Sequence, residues 1–374
     1  MVFKIIYRDK KTKARIGILR TKKGNIETPF FMPVATKATA KFINPEKLTE
    51  LGAKAIISNA LILSLKPGEK IIKKFGGIGK FMNFSGVNFT DSGGFQMYSP
   101  STYIKSNNQG VFFRNPFSGE KIFITPEKDI EIQLNMGSEV AMCLDKMPLY
   151  EDSKKEIENA VKLTTLWAKK CKNHHDKLQK NISKEKRQLL FGITQGGIYK
   201  DLREKSIREL KKLDFDGYSV GGLGLGEKRK DEIKMVELQK SILPENKPIY
   251  LMGIGDPVEI LESIEKGVDI FDSRMPTQNA RRGTLFTSSG KLKILNKKHE
   301  NSKEPIDKKC NCSVCKNYSR AYIKFLLSQD ESVGKELASY HNLYYLQDLI
   351  KQAKIAIKNN KFKEFKKKII KVYS

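Results

Sequence analysis

The sequence predicts an α/β protein: a closed (β/α)8 TIM barrel carrying a C-terminal zinc-binding subdomain. Three observations point there. Eight short apolar or β-branched runs alternate with helical patterns, four of those runs end in a polar residue, and a cysteine cluster with a downstream histidine follows the last run. An open doubly wound sheet is the alternative that strand counting leaves open.

The elements follow in order. The segment up to about Thr28 reads as short strands able to close the bottom of a barrel. The eight runs are Phe30–Val34, Ala55–Ser58, Val87–Asp91, Val140–Asp145, Leu189–Gln195, Tyr218–Gly222, Ile249–Gly253 and Val268–Asp272, each followed by turn residues and then a 3.6-residue period. Residues 110–125 read as a hairpin inserted after the third run. A helix should start at Thr125 as N-cap with Pro126 behind it and stop near Gly137. Another should start at the capping box Ser153/Glu156, with an apolar face through Ile157, Ala160, Val161, Thr164, Trp167, Ala168 and Cys171. The barrel is expected over 1–285 and the zinc-binding subdomain with its packed C-terminal helices over 286–374. In the last helix Phe362, Phe365, Ile369 and Val372 form the buried stripe.

Polar residues at strand ends carry the functional signal. Asp91, Asp145 and Asp272 end three runs and Gln195 a fourth. Strand C-termini of a parallel barrel share one face, so these four side chains should converge on one mouth. Glycines follow three strands, in Asp91-Ser92-Gly93-Gly94, Gln195-Gly196-Gly197 and Val220-Gly221-Gly222-Leu223-Gly224, and allow close backbone approach to a flat ligand. Their spacing matches neither a dinucleotide fingerprint nor a phosphate loop, so no nucleotide cofactor is implied.

Cys310, Cys312 and Cys315 form C-x-C-x-x-C, and His341 completes a closed tetrahedral set for one structural zinc ion. His174, His175 and His299 sit among charges and are expected to be solvated, whereas Cys171 should be a small core residue. The chain has 70 basic against 42 acidic residues, a formal charge of +28, which favours a polyanionic partner. The opening MVFKIIYRDKK lacks an apolar signal core and no stretch is long enough to span a bilayer, so a cytoplasmic protein without a membrane partner is expected.

FFMPVATKATAK, TDSGGFQM, FGITQGGIY, DGYSVGGLGLGE, YLMGIGDP, FDSRMPTQNARRGTLF and CNCSVCKNYSRAYI, in this order along nearly the whole chain, resemble the motifs of the tRNA-guanine transglycosylases, in their bacterial single-domain form. The resemblance implies an enzyme that replaces guanine at the anticodon wobble position of tRNA with a 7-deazaguanine. It makes Asp272 the nucleophile on the ribose and Asp91 the general acid/base. Asp145, Gln195, Gly222, Leu223 and Ser92 would bind the base, and Phe95 and Met252 would sandwich it. Arg274, Gln278, Arg281 and Arg282 would contact RNA. It also implies a homodimer with aromatic contacts near the zinc site, for which Tyr318, Tyr322 and Phe325 are candidates; their helical spacing fits a monomer's core equally well.

Some positions depart from the family pattern. Lys146 and Met147 follow Asp145 in place of an acidic and a smaller residue, Gln278 stands where arginine is usual, and Asn59–Leu63 replaces a more polar segment. Leu225, where valine or glycine is usual, favours a compact 7-substituent, hence 7-aminomethyl-7-deazaguanine. Queuine or 7-cyano-7-deazaguanine as the incoming base, or a catalytically silent tRNA-binding subunit, remain the alternatives. A zinc-stabilised RNA-binding protein without chemistry would not require four polar strand ends.

Overall fold

The computed structural model describes residues 1–93 and 101–373. All eight runs form strands: β4 (Phe30–Pro33), β5 (Ala55–Asn59), β6 (Val87–Asp91), β10 (Val140–Met142), β11 (Leu189–Thr194), β12 (Gly217–Val220), β13 (Ile249–Leu251) and β14 (Ile270–Ser273). They pair in parallel in the order β4-β14-β13-β12-β11-β10-β6-β5. The two ends of that order meet at a parallel bridge between Val34 and Ile57, reinforced by the Ala35 N–H donating to the Ile57 carbonyl at 2.7 Å. The sheet is therefore a barrel, and the doubly wound alternative falls.

The period-two pattern of each strand explains the packing. Phe30, Met32, Ile57, Phe89, Val140, Met142, Phe191 and Tyr250 point inward, while Phe31, Ile56, Ala141 and Leu190 face the helical ring. The interior is crowded: Phe89 meets Phe30, Phe191 and Tyr250 edge-on at 6.0–6.3 Å between ring centres. Gly217 makes room for Phe191, since a Cβ there would lie 2.4 Å from that ring.

The N-terminal residues do close the bottom. β1 (Phe3–Arg8), β2 (Arg15–Thr21) and β3 (Gly24–Glu27) form an antiparallel sheet whose Phe3, Leu19 and Ile26 join the barrel interior. Arg15, fully buried, pairs bidentately with buried Asp269 at the base of β14 (3.0 and 2.6 Å) and donates to the carbonyls of Glu245 and Lys247. With every partner bonded, that ion pair meets the condition under which a buried pair is tolerated.

The helix Pro126–Met136 has its Thr125 cap and a left-handed Gly137 (φ 69°) at its end; the helix Lys154–Leu178 has the Ser153/Glu156 capping box, and Cys171 is buried. The hairpin expected over 110–125 is present as β8 (Gly110–Arg114) and β9 (Lys121–Ile124), and a further strand, β7 (Tyr103–Asn107), extends it to a three-stranded antiparallel sheet after β6. Two expectations need correction. His175 and His299 are buried, not solvated. His175 lies on the apolar stripe one turn beyond Cys171 and bonds Gln179 (2.8 Å), and burial pushes its imidazole down to about 4. Tyr318, Tyr322 and Phe325 are exposed, so they are not core.

After the barrel come a hairpin, β15 (Thr284–Thr287) and β16 (Gly290–Lys293), and helices at Ser313–Asn317, Arg320–Ser328, Ser332–Lys358 and Phe362–Tyr373. Phe362 is fully buried, with Phe365 and Ile369 half-buried against the core. Among the described residues no helix is long and apolar enough to cross a membrane.

Candidate active site at the C-terminal mouth of the barrel

A cavity of about 370 Å³ opens at the C-terminal ends of the strands. Asp91, Ser92, Asp145, Gln195, Gly222, Leu223, Met252, Asp272, Arg274 and Gln278 all line it. Arg281 and Arg282 stand outside the lining, at the end of the helix Met275–Arg281. Phe95 lies outside the described residues. Met147 and Leu225, two of the departing positions, also line the cavity.

Each carboxyl has a distinct environment. Asp272 sits on β14, and among the described residues both of its side-chain hydrogen bonds land on one oxygen: Oδ1 accepts from the Tyr250 hydroxyl at 2.6 Å and from the Gly253 N–H at 2.9 Å. Burial raises its pKa, and these two donors hold the rise down. Tyr250 was not foreseen, because an aromatic inside a strand reads as core. Burial and the Asp272 charge keep its phenol well above the usual value, so it stays a donor.

Asp91 ends β6 and accepts from the Gly93 N–H at 2.8 Å. Burial, opposed by that bond and assisted by the charges of Asp272 and Asp145, lifts it to about 7. Both protonation forms are then available near neutrality, as proton transfer requires. Asp145 follows β10, and its Oδ2 accepts from Gln195 Nε2 at 2.6 Å. Burial raises it to about 6, with Gln195 and Lys146 opposing, so it is mainly an acceptor at pH 7. Gln195 Oε1 is buried and has no hydrogen-bond partner among the described residues, an acceptor left for a ligand. Gly222 (φ 66°) is required beside it, since a Cβ there would fall 2.4 Å from that oxygen. Three carboxyls and an amide thus surround a space whose apolar walls include Val34, Ile57, Ile193, Met252 and Met275. The set can accept two adjacent N–H groups of a flat heterocycle and present one carboxylate oxygen as a nucleophile.

Outside the cavity the surface is cationic. Arg281 has its pKa lowered by burial and then by the charges of Arg274, which lines the cavity, and of Arg282.

The cysteine cluster is assembled as expected. The ligand atoms of Cys310, Cys312, Cys315 and His341 lie within 4.8 Å of one another, and the three sulfurs stand 3.8, 3.5 and 3.3 Å from His341 Nδ1. Tetrahedral zinc with Zn–S of about 2.3 Å and Zn–N of about 2.0 Å implies S···N separations of roughly 3.5 Å, so the donor set fits. His341 Nε2 donates to the Phe286 carbonyl at 2.7 Å, which leaves Nδ1 as the ligand. Such an ion would supply a cross-link and no chemistry at the mouth.

The model of the queuine tRNA-ribosyltransferase family matches residues 9–374. Among similar proteins, queuine tRNA-ribosyltransferases from Thermoanaerobacter sp. (strain X514) and Fusobacterium nucleatum are each 46% identical, the first over 99% of this chain and 97% of its own length, the second over 98% and 96%. One from Lysinibacillus sphaericus is 44% identical over 99% of this chain and 96% of its own length. Together with the closed barrel and the polar residues gathered at its mouth, these matches establish that the chain belongs to the queuine tRNA-ribosyltransferase family.

Proposed function

We propose that the chain is a tRNA-guanine transglycosylase acting through a covalent aspartyl–ribose intermediate, with 7-aminomethyl-7-deazaguanine as the incoming base. The observation that carries this is the hydrogen bonding of Asp272. With Tyr250 and Gly253 both on Oδ1, Oδ2 is left to attack. Oδ2 forms a bond to the ribose C1′ as the N9–C1′ bond breaks, and the electron pair leaves with the guanine. Asp91, protonated for part of its population near pH 7, gives its proton to the departing base. After the bases exchange, the Asp91 carboxylate takes the N9 proton of the newcomer, N9 attacks C1′, and Asp272 leaves as carboxylate. Two inversions return the original configuration.

Asp145 would read the base by accepting from its N1–H and exocyclic amine, while Gln195 Oε1 takes a further donor. A base without those donors would leave buried acceptors unpaired, which such sites reject by factors of about 10⁴. Met147 and Leu225 line the cavity together with Gly222 and Leu223, and the bulk of their side chains supports a compact 7-substituent over a large one. Arg274, Gln278, Arg281 and Arg282 are assigned to the RNA backbone or neighbouring bases, in keeping with the charge of +28. We assign one structural zinc ion to the Cys3His set, and residues 286–374 to a subdomain packed on a barrel of residues 1–285. We further assign Tyr318 and Tyr322, stacked at 5.7 Å and exposed with Phe325, to a homodimer contact.

Incubation with unmodified tRNA and labelled guanine tests the activity. Label retained in the RNA is expected, and chase by 7-aminomethyl-7-deazaguanine in preference to queuine and 7-cyano-7-deazaguanine identifies the base. RNA binding without any incorporation would move the chain to a silent tRNA-binding subunit.

A further inference from the structure

The insertion after β6 carries an aromatic ring that, among the described residues, stands outside the hydrophobic core. Phe117 stands at the β8–β9 turn and is 43% exposed. The turn is nonetheless built: Asn115 Oδ1 accepts from the Phe117 N–H (2.9 Å), the Asn115 carbonyl from Gly119 (2.8 Å), and the Gly119 carbonyl from Arg114 Nη1 (3.0 Å). The other end of the small sheet is tied down the outside of the barrel, where Trp167 Nε1 and Lys170 Nζ donate to the carbonyls of Asn107 and Asn108. Because β8 runs away from that anchor, the Phe117 turn points towards the mouth.

There the ring meets two exposed lysines from two other mouth segments. Lys37, in the loop after β4, and Lys66, after the short helix that follows β5, place their ammonium groups 5.6 and 5.7 Å from the ring centre. Both ammonium groups lie over the ring on exposed, flexible stems that can swing to a phosphate and yield the face to a base. An aromatic surface combined with cations is how single-stranded nucleic acid is held, base on ring and phosphate on cation. The same loop repeats the arrangement at Phe42. This bulky residue is held at φ 67°, where L side chains are strained, and its ring lies 5.1 Å from Lys41 and 5.8 Å from Arg281. One Arg281 guanidinium nitrogen has no partner among the described residues.

We propose that Phe117 is a stacking platform for an unpaired base of the RNA loop that delivers the target guanine, with Lys37 and Lys66 holding the adjoining phosphate. The occupant is argued from charge complementarity and from continuity with the cationic mouth, and it rests on the transglycosylase reading.

The test is anisotropy with a fluorescent anticodon stem-loop, run beside guanine incorporation by the unaltered protein. Phe117→Leu should weaken RNA binding roughly 5- to 150-fold, the range for loss of one base stack, and Phe117→Trp should restore it. Lys37→Gln with Lys66→Gln should flatten the dependence of log K on log salt by about 0.7 per lost contact. Unchanged affinity in Phe117→Leu, with the unaltered protein incorporating guanine, overturns the platform alone. Unchanged affinity accompanied by dissociation of oligomers gives the ring to a contact between copies and also overturns it. If the unaltered protein binds the stem-loop but incorporates nothing, the transglycosylase reading fails while the affinities still decide on Phe117.

Discussion

Removing the Tyr250 hydroxyl should trap the covalent intermediate. Tyr250 is fully buried and its hydroxyl meets Asp272 Oδ1 at 2.6 Å, a distance typical of a bond to a charged acceptor. Such bonds contribute about 1.5–3 kcal/mol net. That contribution is present while Asp272 is a carboxylate and mostly lost once it is a neutral ester of the ribose. Tyr250→Phe therefore destabilises the free carboxylate relative to the adduct, shifting that equilibrium towards adduct by roughly 10- to 150-fold at 1.36 kcal/mol per decade. If about half of the bond's strength is expressed where Asp272 departs, turnover slows by about 3- to 12-fold. Phenylalanine fits the same space, and Oδ1 keeps the Gly253 bond, so the fold should survive.

The assay pairs a denaturing gel for the protein–RNA adduct with the steady-state rate of guanine exchange across pH. More adduct with slower exchange is expected. The acid limb of the rate should also move to higher pH, because losing a donor that lowers the Asp272 pKa lets burial raise it further. If adduct and turnover fall together, Tyr250 only positions the nucleophile. If neither changes, the hydroxyl plays no part and the reasoning is refuted.

Asp272→Asn should fold and bind tRNA yet form no adduct; a surviving adduct band would reassign the nucleophile. Asp91→Asn should abolish exchange but raise stability. Asp91 titrates at about 7 in the fold against 3.8 ordinarily, so the stability tied to its proton is complete below about pH 4 and lost as pH rises through 7. The variant should melt higher than the parent at pH 8, by about 2 kcal/mol once water in the cavity is allowed for, and the two should converge near pH 4; equal melting temperatures at pH 8 would refute the burial cost. Cys312→Ser should lower zinc content and melting temperature without altering the chemistry of the folded fraction, and a full zinc complement would remove Cys312 from the ligand set.

Much of the site was legible because polar residues at the ends of apolar runs have few other reasons to recur. Asp91, Asp145, Gln195 and Asp272 all reach the cavity, and all eight strands are present. Strand ends were less legible. Val140–Asp145 contributes a strand only to Met142, and Asp145 reaches the cavity from the segment that follows, whereas Asp91 and Asp272 reach it from within their ladders. Tyr250 was hidden by its setting between Ile249 and Leu251, where alternation marks only an inward ring. The available signal was that tyrosine, unlike phenylalanine, needs a partner for its hydroxyl when buried. His175 was misjudged from its charged neighbours, although the spacing 164, 168, 171, 175 continues the buried stripe. Charge describes a residue's neighbours along the chain; burial is set by the helical face.

The zinc subdomain bears on the site through one residue that composition could not mark. Asn342, next to the ligand His341, is fully buried. It accepts from the Phe286 N–H (2.9 Å) and donates to the carbonyls of Pro276 and Thr284 (3.0 and 3.1 Å). His341 takes the Phe286 carbonyl from the other side. Two adjacent side chains of the helix Ser332–Lys358 thus clamp both ends of the segment that follows Asp272, the segment bearing Gln278, Arg281 and Arg282. A buried amide with three partners tolerates little displacement, because each broken bond leaves a backbone group unsatisfied at about 1–3 kcal/mol. A metal that fixes His341 would therefore fix the cationic helix over the mouth, and its loss should disturb RNA placement before it disturbs Asp272, which is held separately by Tyr250 and Gly253 from β13 and the turn after it.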